Sequence, residues 1–390
     1  MIYIKSIIDT VCLIVLITRL NGSFKPYMRL RKKIKMGKPT IKDIAEKMNV
    51  SAATVSNALN GKAGVAESKR KKIMETARLM GYQPNVFAKN LVNQKSLAIG
   101  LIVSSISDPF YPELARGVQE RAGEQGYGMM LFNTNHDKQT ERNSIETLNA
   151  RGVDGIILST VLRDDPNIGF LRGLDIPFVL VNRHLLDPGS MGCIDSVVLD
   201  NYQGGYASAH HLLKMGHKRI SIIAGSQEVS TASLRLRGAL DAVKAFDLPD
   251  DHFDMTDCGY MTDKAYDTAK KILNKDTSQR PTAFLCHADN MALGVREAVF
   301  EAGMRIPEDI SLIGFDDIAF ASVSGVELTT VAHRQYEMGL QGAQLLIEKI
   351  TEAGPDNADQ GPRCHNIILE PKLVVRKSCG FHLTGYTNTL

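Results

Sequence analysis

From Leu97 onward, short and nearly continuous apolar runs alternate with stretches of helical periodicity, and this alternation limits the folds open to the chain more than any other feature. LAIGLIV is followed by an amphipathic stretch over 112–125, MMLF by another over 140–150, and then come GIILS and PFVLV. Strands apolar on both sides must be covered on both faces, so the runs predict parallel sheets flanked by helices, an α/β architecture. The pattern pauses around 197–200 and restarts with RISIIAG at 219, PTAFLC at 281 and ISLIGF at 310. Two successive units of similar size predict two lobes with a cleft between them. Ligands of open α/β sheets lie beyond the carboxyl ends of the strands, so the strand-end loops are where a site belongs.

The 390 residues fit about two to three domains on the usual length prior, and the segment ahead of Leu97 has a different character. Residues 29–95 hold 16 Lys and Arg against four Asp and Glu, a local charge of +12; with +2 on residues 1–28 and +3 on the whole chain, the remainder carries −11. A basic head on an acidic body points to a polyanion met by the head alone, although a solvated basic tail gives the same split. In the head, Ile41, Ile44, Ala45 and Met48 share one helical face opened by Thr40, and Ser51 opens a second helix whose Val55, Ala58 and Leu59 point inward. Ala52, Ala53, Ser56 and Asn57 share the opposite face. Two short helices with so tight a turn fit an all-α helix-turn-helix unit, the second helix reading the major groove. A third helix, from 68 to 80, buries Ile73, Ala77 and Met80 and carries Lys69, Arg70, Lys71 and Lys72 as a solvated or phosphate-facing run. Periodicity alone also fits a three-helix protein-binding module.

The literal string decides between them. IKDIAEKMNVSAATVSNALNGK, followed by GYQPNVFAKNL, resembles the DNA-binding head and hinge of the LacI/GalR family of bacterial regulators. The later words GHKRI, PTAF, MALGV, RIPEDISLIGFDDI, LTTV and LVVRKS resemble that family's sensor domain, whose fold is like that of periplasmic sugar-binding proteins. The resemblance implies a DNA-contacting set of Thr40, Ser51, Ala52, Ala53, Thr54 and Asn57 in the head, with Asn85 and Leu91 in the hinge. Asn57 stands where many members have Arg, so a bidentate guanine contact gives way to an amide suited to adenine. Ala66 replaces the usual Ser or Thr, leaving the third helix without its customary cap. The hinge segment VFAKNLVN, capped by Asn85, is too short to be helical alone. By resemblance, two copies pair and Leu91 wedges the minor groove; otherwise Leu91 is a packed linker residue.

The resemblance also implies an effector set of Phe110, Tyr111, Arg183, Arg235, Tyr260 and Asp316, with Asn182 beside Arg183. Arg offers a planar fork, Asp an acceptor, and the aromatic rings faces for a sugar or base. Ala288 stands where relatives often carry a ligand-binding Asn. The competing reading makes Asp316 and Asp317 helix caps and Arg235 a buried structural ion pair. The implied domains are a head over 37–82, a hinge over 83–96 and a sensor over 97–390. Within the sensor, lobe 1 covers about 97–199 and 331–365 and lobe 2 about 200–330 and 366–378, with crossings near Asp200, Thr330 and Asn366.

No P-loop, dinucleotide fingerprint, HExxH or GxSxG motif is present, so an enzyme is not expected, nor a cofactor or metal. The six cysteines lack zinc spacing and read as free thiols in a reducing cytoplasm. Residues 7–17 are apolar but interrupted, and shorter than the roughly 20 residues that span a bilayer; the expectation is that translation starts at Met36. The expected protein is a cytoplasmic homodimer and a repressor. Its partners are double-stranded operator DNA and a small-molecule effector, a sugar or sugar phosphate. Two alternatives stay open: a membrane-tethered or exported sugar-binding receptor, and a regulator answering to a partner protein.

Overall fold

The computed structural model describes residues 39–82, 96–185, 194–247, 253–352 and 364–380. The chain divides into two compact units, one ending at Lys89 and one beginning at Asn90.

In the first unit, three helices enclose one small core: α1 (Ile41–Met48), α2 (Ala52–Leu59) and α3 (Glu67–Leu79). α1 starts where Thr40 and Asp43 satisfy each other's backbone amides in a capping box, and it stops where Asn49 turns left-handed at φ 52°. Ser51 caps α2 by accepting from the Thr54 amide at 3.1 Å. Ala66 makes no side-chain bond at the start of α3. Ile44, Val55 and Ile73, one from each helix, are fully buried and hold the three together.

The second unit begins with a six-stranded parallel sheet in the order β11-β5-β4-β3-β1-β2. In chain order it comprises β1 (Ala98–Val103), α4 (Phe110–Glu124), β2 (Gly128–Asn133), α5 (Lys138–Ala150), β3 (Gly155–Leu158), α6 (Pro166–Gly173), β4 (Phe178–Val181) and β5 (Ser196–Leu199). Alternate strand residues feed opposite faces, as the pleat requires. Leu101, Ile157, Val179 and Val197 share one core cluster with Leu114 and Val118 of α4, while Ile102, Ile156 and Leu180 share another with Ile145 and Leu148 of α5 and Ile168 and Leu171 of α6.

After Asp200 the chain enters the second lobe: α7 (Asn201–Lys214), β6 (Ile220–Ala224), α8 (Ser230–Lys244), β7 (Phe253–Asp257), α9 (Thr262–Leu273), β8 (Ala283–Cys286), α10 (Asp289–Glu301) and β9 (Ser311–Ile313). Its sheet is parallel, in the order β7-β6-β8-β9. The chain returns through β10 (Thr330–Ala332) to α11 (Gln335–Glu352), which packs on α4 and on β3, β4 and β5. β11 (Asn366–Leu369) then pairs with β5, and β12 (Lys372–Val374) pairs antiparallel with β10.

This corrects the expected third crossing. Asn366 opens an edge strand of the first sheet, in register with Ser196, so 366–369 complete lobe 1 and the crossing follows Leu369. One cysteine is corrected as well: Cys258, Cys286 and Cys379 are free and buried, but Cys364 is disulfide-bonded.

Each lobe holds its leading helix against the helix beside it by a reciprocal pair of glycines. A Cβ on Gly117 of α4 would lie 2.1 Å from the Tyr336 carbonyl of α11, and one on Gly339 of α11 would lie 2.2 Å from that of Leu114. In the second lobe Gly205 of α7 and Gly238 of α8 do the same, each 2.1 Å from a carbonyl on the opposite helix. Only residues without a side chain allow helix backbones to come this close.

Candidate functional site

In the head, α2 turns Ala52 and Ala53 to solvent and leaves Thr54 and Asn57 partly exposed, so the expected base-reading residues share one open face. Among the described residues, no hydrogen bond engages the Asn57 side chain. The hydroxyls of Ser51 and Thr54 lie 2.8 Å apart, and Thr40 bonds Asp43, so all three also serve the helix starts. Of the basic run on α3, Arg70 departs from a purely solvated role: its Nη2 donates to the Lys62 carbonyl at 2.8 Å and its Nε lies 3.6 Å from Glu67. Asn85 and Leu91 lie outside the described residues.

In the second unit the strand ends of both lobes converge on a cleft. A cavity of about 850 Å³ lies between the loops after β1, β2, β3 and β4 on one side and those after β6, β7 and β9 on the other. The lobes touch across it, where the Arg163 amide donates to the Glu228 carbonyl at 2.7 Å and the His184 amide to Ser230 Oγ at 3.1 Å. A recess of about 30 Å³ adjoins the cavity, and all six expected effector residues line it: Phe110, Tyr111, Arg183, Arg235, Tyr260 and Asp316. Asp108, His136, Arg183 and Tyr260 border both spaces.

The recess is built on hydrogen bonds inside the chain. Arg235 on α8 is 2 % exposed; it donates Nε to Asn201 Oδ1 at 2.8 Å and Nη1 to the His287 carbonyl, and its guanidinium lies over the Phe315 ring at 3.6 Å. Its Nη2 is 3.1 Å from His333 Nδ1, and its Nη1 is 3.7 Å from Asp316 Oδ1. Asp316 sits on a strained turn at φ 121°. The turn is held from the crossing segment, where the Gln335 side chain donates to the Asp316 carbonyl at 2.5 Å and the Asp316 amide donates to Val331. Tyr260, at φ 65°, lies against Gly225 so closely that a Cβ there would be 2.2 Å from its ring; its hydroxyl is 2.9 Å from Thr231 Oγ1.

His333 sits 2.9 Å from Asp316 Oδ1 with its ring edge-on to Phe110. Burial, aided by Arg235, holds its pKa well below the usual imidazole range, so the ring is neutral and Nδ1 cannot both donate to Asp316 and accept from Arg235. Burial raises Asp316 to about 7 against the pull of Arg235, and it raises Asp108, with help from the Asp316 charge, to about 6.

Asp108, His136 and His333 were not among the expected site residues. The strand-end rule could have found the first two, which follow β1 and β2. His333 lies three residues beyond Thr330, where a crossing was already expected. Ala288 is buried and lines neither space. Asp317 pairs with Arg376 at 2.7 Å and does not act as a helix cap. Several polar atoms around the recess are buried without a partner: Thr160 Oγ1, Asn182 Oδ1, Arg183 Nε and His333 Nε2. Buried polar atoms are rarely left so unless something else satisfies them. Among the described residues, no cluster of three or more His, Cys, Asp or Glu could hold a metal ion.

A helix-turn-helix head whose second helix has an open face, followed by two α/β lobes enclosing a cavity with a polar recess, defines a DNA-binding regulator that answers to a small molecule. The chain belongs to the LacI family of bacterial regulatory proteins. Residues 40–85 match the family described as bacterial regulatory proteins, lacI family, and residues 96–367 match that of periplasmic binding proteins and the sugar binding domain of the LacI family. Over 345 residues the chain is 32% identical to the HTH-type transcriptional regulator DegA of Bacillus subtilis (strain 168), a match covering 87% of this chain and 98% of DegA. The lac repressor dimer bound to operator and the anti-inducer ONPF shares its fold with a TM-score of 0.76 at 25% identity, covering 88% of this chain and 99% of that one. The complex of the transcriptional regulator CelR with cellobiose gives 0.64 at 26% identity, covering 87% and 99%. These relatives are regulators and not enzymes. No helix among the described residues is long and apolar enough to cross a membrane.

Proposed function

We propose that the chain is a homodimeric repressor whose α2 helices read an operator in the major groove and whose grip is set by a sugar or sugar phosphate bound between the lobes. The observation that carries this reading is the meeting of six effector candidates from both lobes on one recess with unpartnered polar atoms. A ligand there touches strand-end loops of both lobes and biases how they close. The CelR structure, with cellobiose bound, is a precedent for the ligand class. In the head, Ala52, Ala53 and Asn57 face the bases, with Thr40, Ser51 and Thr54 at the helix starts beside them; Asn85 and Leu91 serve as hinge cap and minor-groove wedge. Ligand and operator affinities are then reciprocally coupled, typically by about 1–3 kcal/mol.

The test is footprinting of DNA around the protein's own gene, with and without a panel of sugars and sugar phosphates. A protected palindromic site whose affinity shifts with one compound is expected. Protection that no small molecule changes would favour control by a partner protein.

A further inference from the structure

The two arginines at the recess differ in what their guanidinium groups already hold. Arg235 is engaged by Asn201, the His287 carbonyl, His333, Asp316 and the Phe315 ring. Arg183 is also buried, at 6 % exposed, yet the one hydrogen bond of its guanidinium runs from Nη1 to the Thr160 carbonyl at 3.4 Å. Its Nε is buried without a partner, and among the described residues no carboxylate lies within 4 Å of it. The Nε–Nη2 edge is therefore open. That edge presents two parallel N–H donors at the spacing of two carboxylate oxygens. A buried guanidinium with no carboxylate in contact is costly, even with the Asp108 charge acting on it from beyond 4 Å, and an anion arriving at the fork relieves that cost.

Two further features narrow the anion. Asn182, the preceding residue, is held at φ 71° and brings an unpartnered, buried Oδ1 to the same recess, an acceptor beside the open fork. Asp108 and Asp316 line that recess too, one from each lobe. Either anion would face these two carboxyl groups, but a phosphate dianion brings two charges against them with one unpartnered guanidinium to hold it, whereas a carboxylate brings the single charge that the guanidinium matches. Arg183 also borders the larger cavity, which has room for a sugar-sized body.

We propose that the ligand is a sugar-sized hydroxy acid, an aldonate or uronate, whose carboxylate seats on the Nε–Nη2 edge of Arg183 while an adjacent hydroxyl donates to Asn182 Oδ1. The proposal rests on the reading of the cleft as the effector site.

Calorimetry on the full chain tests it with three probe classes: D-glucose and D-galactose, then D-gluconate, D-glucuronate and D-galacturonate, then glucose 6-phosphate. At least one acid is expected to bind tenfold or more tightly than its neutral parent and than the phosphate ester. Arg183→Gln should lower that acid's affinity at least tenfold, toward that of the parent sugar, and lower the parent's own affinity by a clearly smaller factor. Arg183→Lys, which keeps the charge and loses the fork, should recover only part, and it carries the same comparison if the glutamine variant does not fold. Neutral sugars binding as tightly as the acids, a preference for the phosphate ester, no binding by any acid, or equal losses for acid and parent would each overturn the proposal. Operator titrations with the same compounds separate the two claims. A neutral sugar that shifts operator affinity keeps the effector reading and removes the acid, whereas bound compounds that leave operator affinity untouched remove the effector reading itself.

Discussion

Asp108 and Asp316 reach the same recess from opposite lobes, and burial lifts both above the ordinary carboxylate range, to about 6 and about 7. An unfolded Asp titrates near 3.9, so between about pH 4 and these values the folded chain binds more protons than the unfolded one. Stability therefore falls as pH rises through that window and levels off above it. Asp108→Asn keeps the oxygen that accepts from the Phe110 amide and removes the titration. Denaturant unfolding should find the variant about 1–3 kcal/mol more stable than the parent at pH 7.5 and equal to it at pH 4. A constant difference across that range would contradict the assignment. The six expected effector residues were legible as neighbours on one recess because motif words mark the strand-end loops. Which arginine is engaged and which is open was not legible. That depends on Asn201, the His287 carbonyl and His333, partners brought to Arg235 from distant segments.

Among the elements, α3 begins without the hydroxyl that caps α1 and α2, and its N-cap Ala66 already has the extended geometry a cap requires, φ −57° and ψ 139°. Ala66→Ser should therefore stabilise the head by about 0.5–2 kcal/mol, read as slower amide exchange at Ser68 and Lys69. Unchanged exchange would mean that water caps the helix equally well. The helices of the head were legible because their burial is periodic, and most central strands because their apolar runs are continuous. β7 was not: FDMTD is an edge strand paired on one side only, so it needs no apolar run. β11 is likewise polar-flanked and partly exposed, so nothing in its own residues corrected the crossing near Asn366 that the resemblance implied.

Across the molecule, the glycine pair Gly205 and Gly238 sets how α7 approaches α8, and Arg235 on α8 reaches Asn201 on α7 across the same contact. Gly205→Ala puts a methyl against the Arg235 carbonyl. It should cost about 1–3 kcal/mol in denaturant unfolding and weaken ligand response in operator titrations, although no ligand-facing residue is changed. Retention of full stability would show that the helices can separate freely.

The first lobe also imposes an order on biosynthesis. Its sheet is laid down by Leu199, yet α11, which covers β3, β4 and β5, spans Gln335–Glu352, and the edge strand β11 comes later still. At about 5–20 residues per second the ribosome needs roughly ten to thirty seconds to make the intervening chain, and for that time the β3–β5 part of one apolar face of the nascent sheet has no native cover. The three-helix head is complete long before and can fold as it emerges. A cell producing this protein must shield the unfinished lobe, so its yield should depend on chaperone supply more steeply than that of the head expressed alone.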